Sequence, residues 1–91
     1  MVFICFAGTR REILPGESLL VGRDRAAALQ VKDPHVSRNH VRVELLPDNS
    51  VLVADLGSVN GMRVSGKSVP WAVLKTGESF TIGLSEIFLE A

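Results

Sequence analysis

HVRVELLPDNSVLVADL, residues 40–56, decides the fold. Its first half alternates: Val41, Val43 and Leu45 are apolar, while Arg42 and Glu44 between them are charged. A period of two marks a strand with one buried and one wet face, because successive side chains leave a sheet on opposite sides. Pro47-Asp48-Asn49-Ser50 then supplies turn chemistry, and a second apolar run follows at 51–56. The stretch predicts a β-hairpin.

Working outward, the same pattern recurs. Short runs rich in β-branched and aromatic residues are separated by Gly, Pro, Asn and Ser, which predicts strands at 2–6, 11–14, 18–22, 29–31, 40–46, 51–56, 62–64, 67–69, 79–83 and 86–90. Asn60-Gly61 and Ser65-Gly66 are tight-turn signals, since Asn and Gly tolerate positive φ. Lys75–Ser79 is expected to close a last hairpin, and residues 23–29 to form a loop. No segment carries a sustained helical period. Many short strands with evenly spaced turns imply an all-β sandwich or barrel.

Composition narrows the function. The 91 residues suffice for one domain, 1–91, and a hydrophobic content of 46% supports a single core. Ten acidic and ten basic side chains cancel, so the chain lacks the basic balance of a nucleic-acid binder. No apolar run has the length of a membrane span. Residues 1–12 have no basic stretch ahead of their apolar run, so they read as a first strand rather than a signal peptide. An intracellular location, nuclear or cytoplasmic, is expected. Cys5, the one cysteine, cannot form an internal disulfide and is expected to be a buried, inert thiol.

DPHVSRNH, residues 33–40, concentrates reactive groups and admits three chemistries. Ser37, His40 and Asp55 could serve as nucleophile, base and orienter. However, Pro34 holds its predecessor extended and the alternation starts at Val41, so residues 34–39 form a turn, and nothing marks an oxyanion hole or a nucleophile elbow. His35, His40 and the distant Cys5 match no familiar zinc spacing. No catalytic residue, metal ligand or cofactor is therefore assigned. The third chemistry is a grip on an anion. Gly22-Arg23 ends one strand at a loop, Ser37-Arg38 sits in a second loop, and Gly57-Ser58-Val59-Asn60-Gly61 forms a third. Guanidinium forks, hydroxyls and turn amides are what a phosphate needs.

Gly22-Arg23, then Ser37-Arg38-Asn39-His40, then Asp55-Leu56-Gly57-Ser58-Val59-Asn60-Gly61, with a late Leu74-Lys75-Thr76-Gly77-Glu78-Ser79-Phe80-Thr81-Ile82-Gly83, resembles the forkhead-associated (FHA) domain signature. The resemblance runs from about Val2 to Leu89. It implies a two-sheet β-sandwich of eleven short strands with binding loops at one end. It also implies a non-catalytic module that binds phosphothreonine in partner proteins, for signalling or assembly of the DNA-damage type, and that usually sits in a larger protein.

Carried over by position, Arg23 pairs with the phosphate and the Ser37 hydroxyl donates to it. Arg38 reaches the phosphate or a flanking residue, and Asn60 holds the peptide backbone. Gly22, His40, Ser58 and Gly61 shape the loops, with Ser58 expected to brace against His40. Val59 stands where the family often has a threonine or serine, which removes one phosphate hydroxyl but keeps a backbone N–H, and the resemblance counts it among the phosphopeptide-binding residues. Met62 replaces a usual threonine and is expected to alter packing. His35 occupies a position that reads the third residue after the phosphothreonine, where an imidazolium favours an acidic side chain. Threonine is preferred to serine through its γ-methyl. Burying a methyl is worth only about 0.8 kcal/mol, so the preference must also use the rotamer that β-branching imposes. Two other readings compete: an FHA-like interaction or dimerisation domain indifferent to phosphorylation, and a minor hydrolase dependent on Ser37.

Overall fold

A computed structural model describes residues 1–91. Eleven strands follow in order: β1 (Phe3–Phe6), β2 (Thr9–Glu12), β3 (Ser18–Gly22), β4 (Leu29–Gln30), β5 (Val41–Leu45), β6 (Val51–Asp55), β7 (Met62–Val64), β8 (Lys67–Val69), β9 (Trp71–Leu74), β10 (Ser79–Ile82) and β11 (Ser85–Glu90). They form a six-stranded sheet in the order β2-β1-β11-β10-β7-β8 and a five-stranded sheet in the order β4-β3-β5-β6-β9. The all-β sandwich expected from the sequence is what the chain adopts, and no helix is long and apolar enough to cross a membrane.

The opening hairpin forms as read. Val41 pairs with Asp55, Val43 with Val53 and Leu45 with Val51. Val41, Val43, Val51 and Val53 are fully buried, while Arg42 is exposed on the other face and pairs with Glu44 at 2.9 Å. From the opposite sheet Phe80, Ile82, Ile87 and Leu89 meet them, and Ile4 completes the layer. Each fully buried aliphatic or aromatic side chain contributes about 1.5–3 kcal/mol, so these facing layers dominate the stability. Met62 is fully buried within the same core. Ser65 and Gly66 join β7 to β8 with φ of 51° and 79°, the doubly left-handed pair whose twist suits a two-residue hairpin.

Three expectations are corrected. Residues 71–74, which are not among the strands expected from the sequence, form β9, an edge strand on β6. Pro70 lacks an N–H but its carbonyl accepts from Asp55 (2.9 Å), so the proline starts the strand instead of preventing it. Residues 75–79 do not close a hairpin. They carry the chain from β9 in one sheet to β10 in the other, and the last hairpin turns at Gly83-Leu84 between Ile82 and Ser85. Cys5 is only partly buried, lying beside Phe88 and Arg10 across its neighbouring strands. Burial, then the nearby Glu90 carboxylate, push its thiol pKa up, which favours the unreactive protonated form.

The sandwich has two distinct ends. The β3–β4, β4–β5 and β6–β7 loops meet at one, together with the β10–β11 turn. Met1 and Ala91 lie at the other, sharing a depression with Asp48, Ser50 and Lys75.

Candidate functional site

The β4–β5 loop sits between its neighbours because β5 lies between β3 and β6 in the sheet. On the β3 side, the Arg23 and Asp24 amides donate to the Ser37 and Arg38 carbonyls (3.0 and 3.2 Å). The two backbones approach so closely that a Cβ on Gly22 would lie 2.1 Å from the Arg38 carbonyl oxygen. Gly22 is thus required by contact, and it delivers Arg23 at a fixed point. Arg23 Nε donates to the Val36 carbonyl (3.0 Å), which anchors the guanidinium beside Ser37 and leaves its terminal N–H groups free.

On the β6 side, the Val59 amide donates to Ser37 Oγ (3.2 Å). The Ser37 hydroxyl keeps its own proton to give. Asn60 Nδ2 donates to the His35 carbonyl (2.8 Å), leaving its second N–H and its carbonyl oxygen. The Val59 side chain is 90% exposed. Arg38 and His35 are exposed as well.

His40 is fully buried and holds the loops together. Its Nδ1 accepts from the Ser37 amide (3.0 Å), and its Nε2 lies 2.7 Å from the Gly61 carbonyl. A peptide N–H only donates and a carbonyl only accepts, so His40 is the neutral tautomer protonated on Nε2. Asp55 is 3.8 Å from the same nitrogen, too far for a hydrogen bond. Asp55 instead frames the β6–β7 loop: it accepts from the Gly57 and Ser58 amides (3.0 and 3.1 Å) and from Ser58 Oγ (2.5 Å). Ser58 Oγ in turn accepts from the Gly61 amide (2.9 Å). Ser58 therefore braces Asp55 and Gly61 rather than His40 itself, and the two braces meet at Gly61. Ser37 Oγ bonds to Val59 and not to the imidazole, so the three side chains of a hydrolytic relay are not linked as one.

One supporting residue escapes the sequence reading. Asp33 is 6% exposed, and its carboxylate accepts from the His35 amide (2.8 Å), the Leu84 amide (2.7 Å) and the Ser85 hydroxyl (2.8 Å). It ties the serine-bearing loop to the opposite sheet. The His35 amide bond, partly opposed by burial and helped by Ser85 and Leu84, holds its carboxyl below the usual aspartate range. No cluster of His, Cys, Asp and Glu has the makings of a metal site.

A family model for the FHA domain matches residues 19–83. The chain belongs to the FHA family. Among curated proteins, this FHA domain is 30% identical over 78 residues to the ABC transporter ATP-binding/permease protein Rv1747 of Mycobacterium tuberculosis. The match takes in 86% of this chain and 9% of that protein. Among solved structures, it is similar to the FhaA FHA domain complexed with the intracellular domain of Rv3910, at 29% identity and a TM-score of 0.87, covering 99% of this chain and 100% of that one. It is equally similar to a domain solved in work on phosphothreonine-dependent FHA interactions, at 29% identity and a TM-score of 0.87, covering 99% and 95%. The FHA domain's loops at 22–24, 33–40 and 56–61 are the ones the geometry brings together.

Proposed function

We propose that this FHA domain is a non-catalytic module that recognises phosphothreonine in partner proteins, as one part of a larger polypeptide. The observation that carries the reading is the pairing of a fixed guanidinium with a free hydroxyl proton. Arg23 is clamped through Nε to Val36, and Ser37 is oriented through Val59 N–H and His40. A phosphate brings about −1.5 to −2 charges and three acceptor oxygens. Arg23, Ser37 and Arg38 are the groups assigned to bind it, and Asn60 to hold the peptide main chain through the amide atoms its His35 bond leaves over. His35 is assigned to read a flanking residue. Val59 lends its N–H to Ser37, so its part is to orient that hydroxyl rather than to contact phosphate. The solved relative from phosphothreonine-dependent interactions supports the ligand class.

The test is fluorescence anisotropy with a degenerate phosphothreonine library, its phosphoserine and unphosphorylated counterparts, and an Arg23→Ala control. Binding confined to phosphothreonine and lost in the variant is expected. Binding that survives both removal of the phosphate and Arg23→Ala overturns the reading in favour of a phosphate-independent interaction domain.

A further inference from the structure

The phosphate site described above leaves one guanidinium over. Arg25 lies two residues beyond Arg23 on the β3–β4 loop and is exposed. Together with Arg23, Asp24 and Arg38 it lines a depression that contains no apolar residue. The ion pairs of the molecule join Arg10 to Glu90, Arg11 to Glu17 and Arg42 to Glu44, so none reaches Arg23, Arg25 or Arg38. The one acid in the depression, Asp24, turns Oδ1 onto the Ala26 amide of its own loop (2.9 Å). A chain with no net charge thus gathers three unpaired arginines in one place.

A phosphothreonine does not need all three. With its Nε committed to Val36, Arg23 still has about four N–H donors, and Arg38 has about five. Added to the Ser37 hydroxyl, these already outnumber what three phosphate oxygens accept. The position of Arg25 also matters. Strand order places β3 and β6 on opposite sides of β5, so Arg25 and Asn60 flank the serine-bearing loop from opposite sides. A peptide anchored by its phosphate and by Asn60 therefore presents its other flank to Arg25.

We propose that Arg25 makes a second anion subsite, and that the preferred ligand is a phosphothreonine with a further anionic group, a carboxylate or a second phosphate, on the flank away from Asn60. This rests on the phosphothreonine reading and names its sequence context. Arg25 is a specificity residue, and the guanidinium fork pairs with either anion through the same two-point geometry.

Affinities decide it, measured by titrating one phosphothreonine peptide in five forms: neutral flanks, glutamates on the N-terminal flank, glutamates on the C-terminal flank, and phosphoserine replacing the glutamates on either side. Each is titrated against the unaltered chain, Arg25→Ala and Arg23→Ala. The expected result is that one anionic flank binds about three- to tenfold tighter than neutral, and that this ratio falls to about one in Arg25→Ala. Glutamate and phosphoserine arms separate an acidic motif from a doubly phosphorylated one. No gain from either flank, or a gain that survives Arg25→Ala, overturns the subsite while Arg23→Ala still abolishes binding and the phosphothreonine reading stands. Absence of phosphate-dependent binding in every arm overturns both.

Discussion

A methyl group on Gly22 would overlap the Arg38 carbonyl oxygen at 2.1 Å, a backbone atom that cannot step aside alone. Gly22→Ala is therefore expected to push the serine-bearing loop off β3, at a cost of about 3 kcal/mol or more. Urea denaturation measures the stability loss, and phosphopeptide affinity should fall with it because Arg23 and Ser37 move apart. His40 works by pairing rather than bulk. His40→Ala strands the Ser37 amide and the Gly61 carbonyl, each of which costs about 1–3 kcal/mol when buried without a partner. The same denaturation experiment should show a drop of about 3 kcal/mol or more. Asp33 gives the fold an acid sensitivity. Its pKa is lowered in the folded state, so its contribution is complete above the ordinary aspartate range and is lost as pH falls through the depressed value. Denaturation midpoints compared at near-neutral pH and at about pH 3 should fall for the unaltered chain. In Asp33→Asn the fall should be smaller, from a lower starting point. An equal fall in both would remove Asp33 from that role.

Loops behave as units when one side chain frames them, and Asp55 frames residues 57–61 through two amides and the Ser58 hydroxyl. Asp55→Ala should raise amide hydrogen exchange across residues 57–61 while the β5–β6 ladder stays protected, since the valines beneath it are untouched. Uniform loss of protection would mean that Asp55 supports the fold and not the loop alone. At this scale the limits of sequence reading are physical. β5 and β6 were legible because burial on one face imposes a period of two. β9 was not, because Trp71 and Val73 are apolar on its exposed face and the alternation is erased. The turn at 75–79 has the same chemistry whether the next strand folds back or crosses to the other sheet, and only long-range pairing decides. That the three site loops converge was legible because Gly22-Arg23, Ser37-Arg38 and Asn60-Gly61 are local motifs, and the structure brings them together. Asp33 was not, since its partners Leu84 and Ser85 lie 51 and 52 residues away.

The molecule as a whole is neutral yet polarised, with unpaired arginines gathered at the loop end. Phosphopeptide association should therefore weaken as salt rises, because exposed charges are screened beyond about 8 Å at physiological ionic strength. A binding constant that is flat across a salt titration would show that hydrogen bonding, not field, captures the ligand. The two chain ends lie together at the pole opposite those arginines, with Phe3 paired to Glu90 just inside them. Any polypeptide attached to either end departs from the back of the domain. The module is thus a hand on a single wrist. It can be hung from the head or tail of a carrier, or spliced into a surface loop, without turning its grip away from the partner. On any carrier its reach would be set by the connecting segment, so lengthening or stiffening an attached linker should change local concentration at the target while leaving intrinsic affinity untouched.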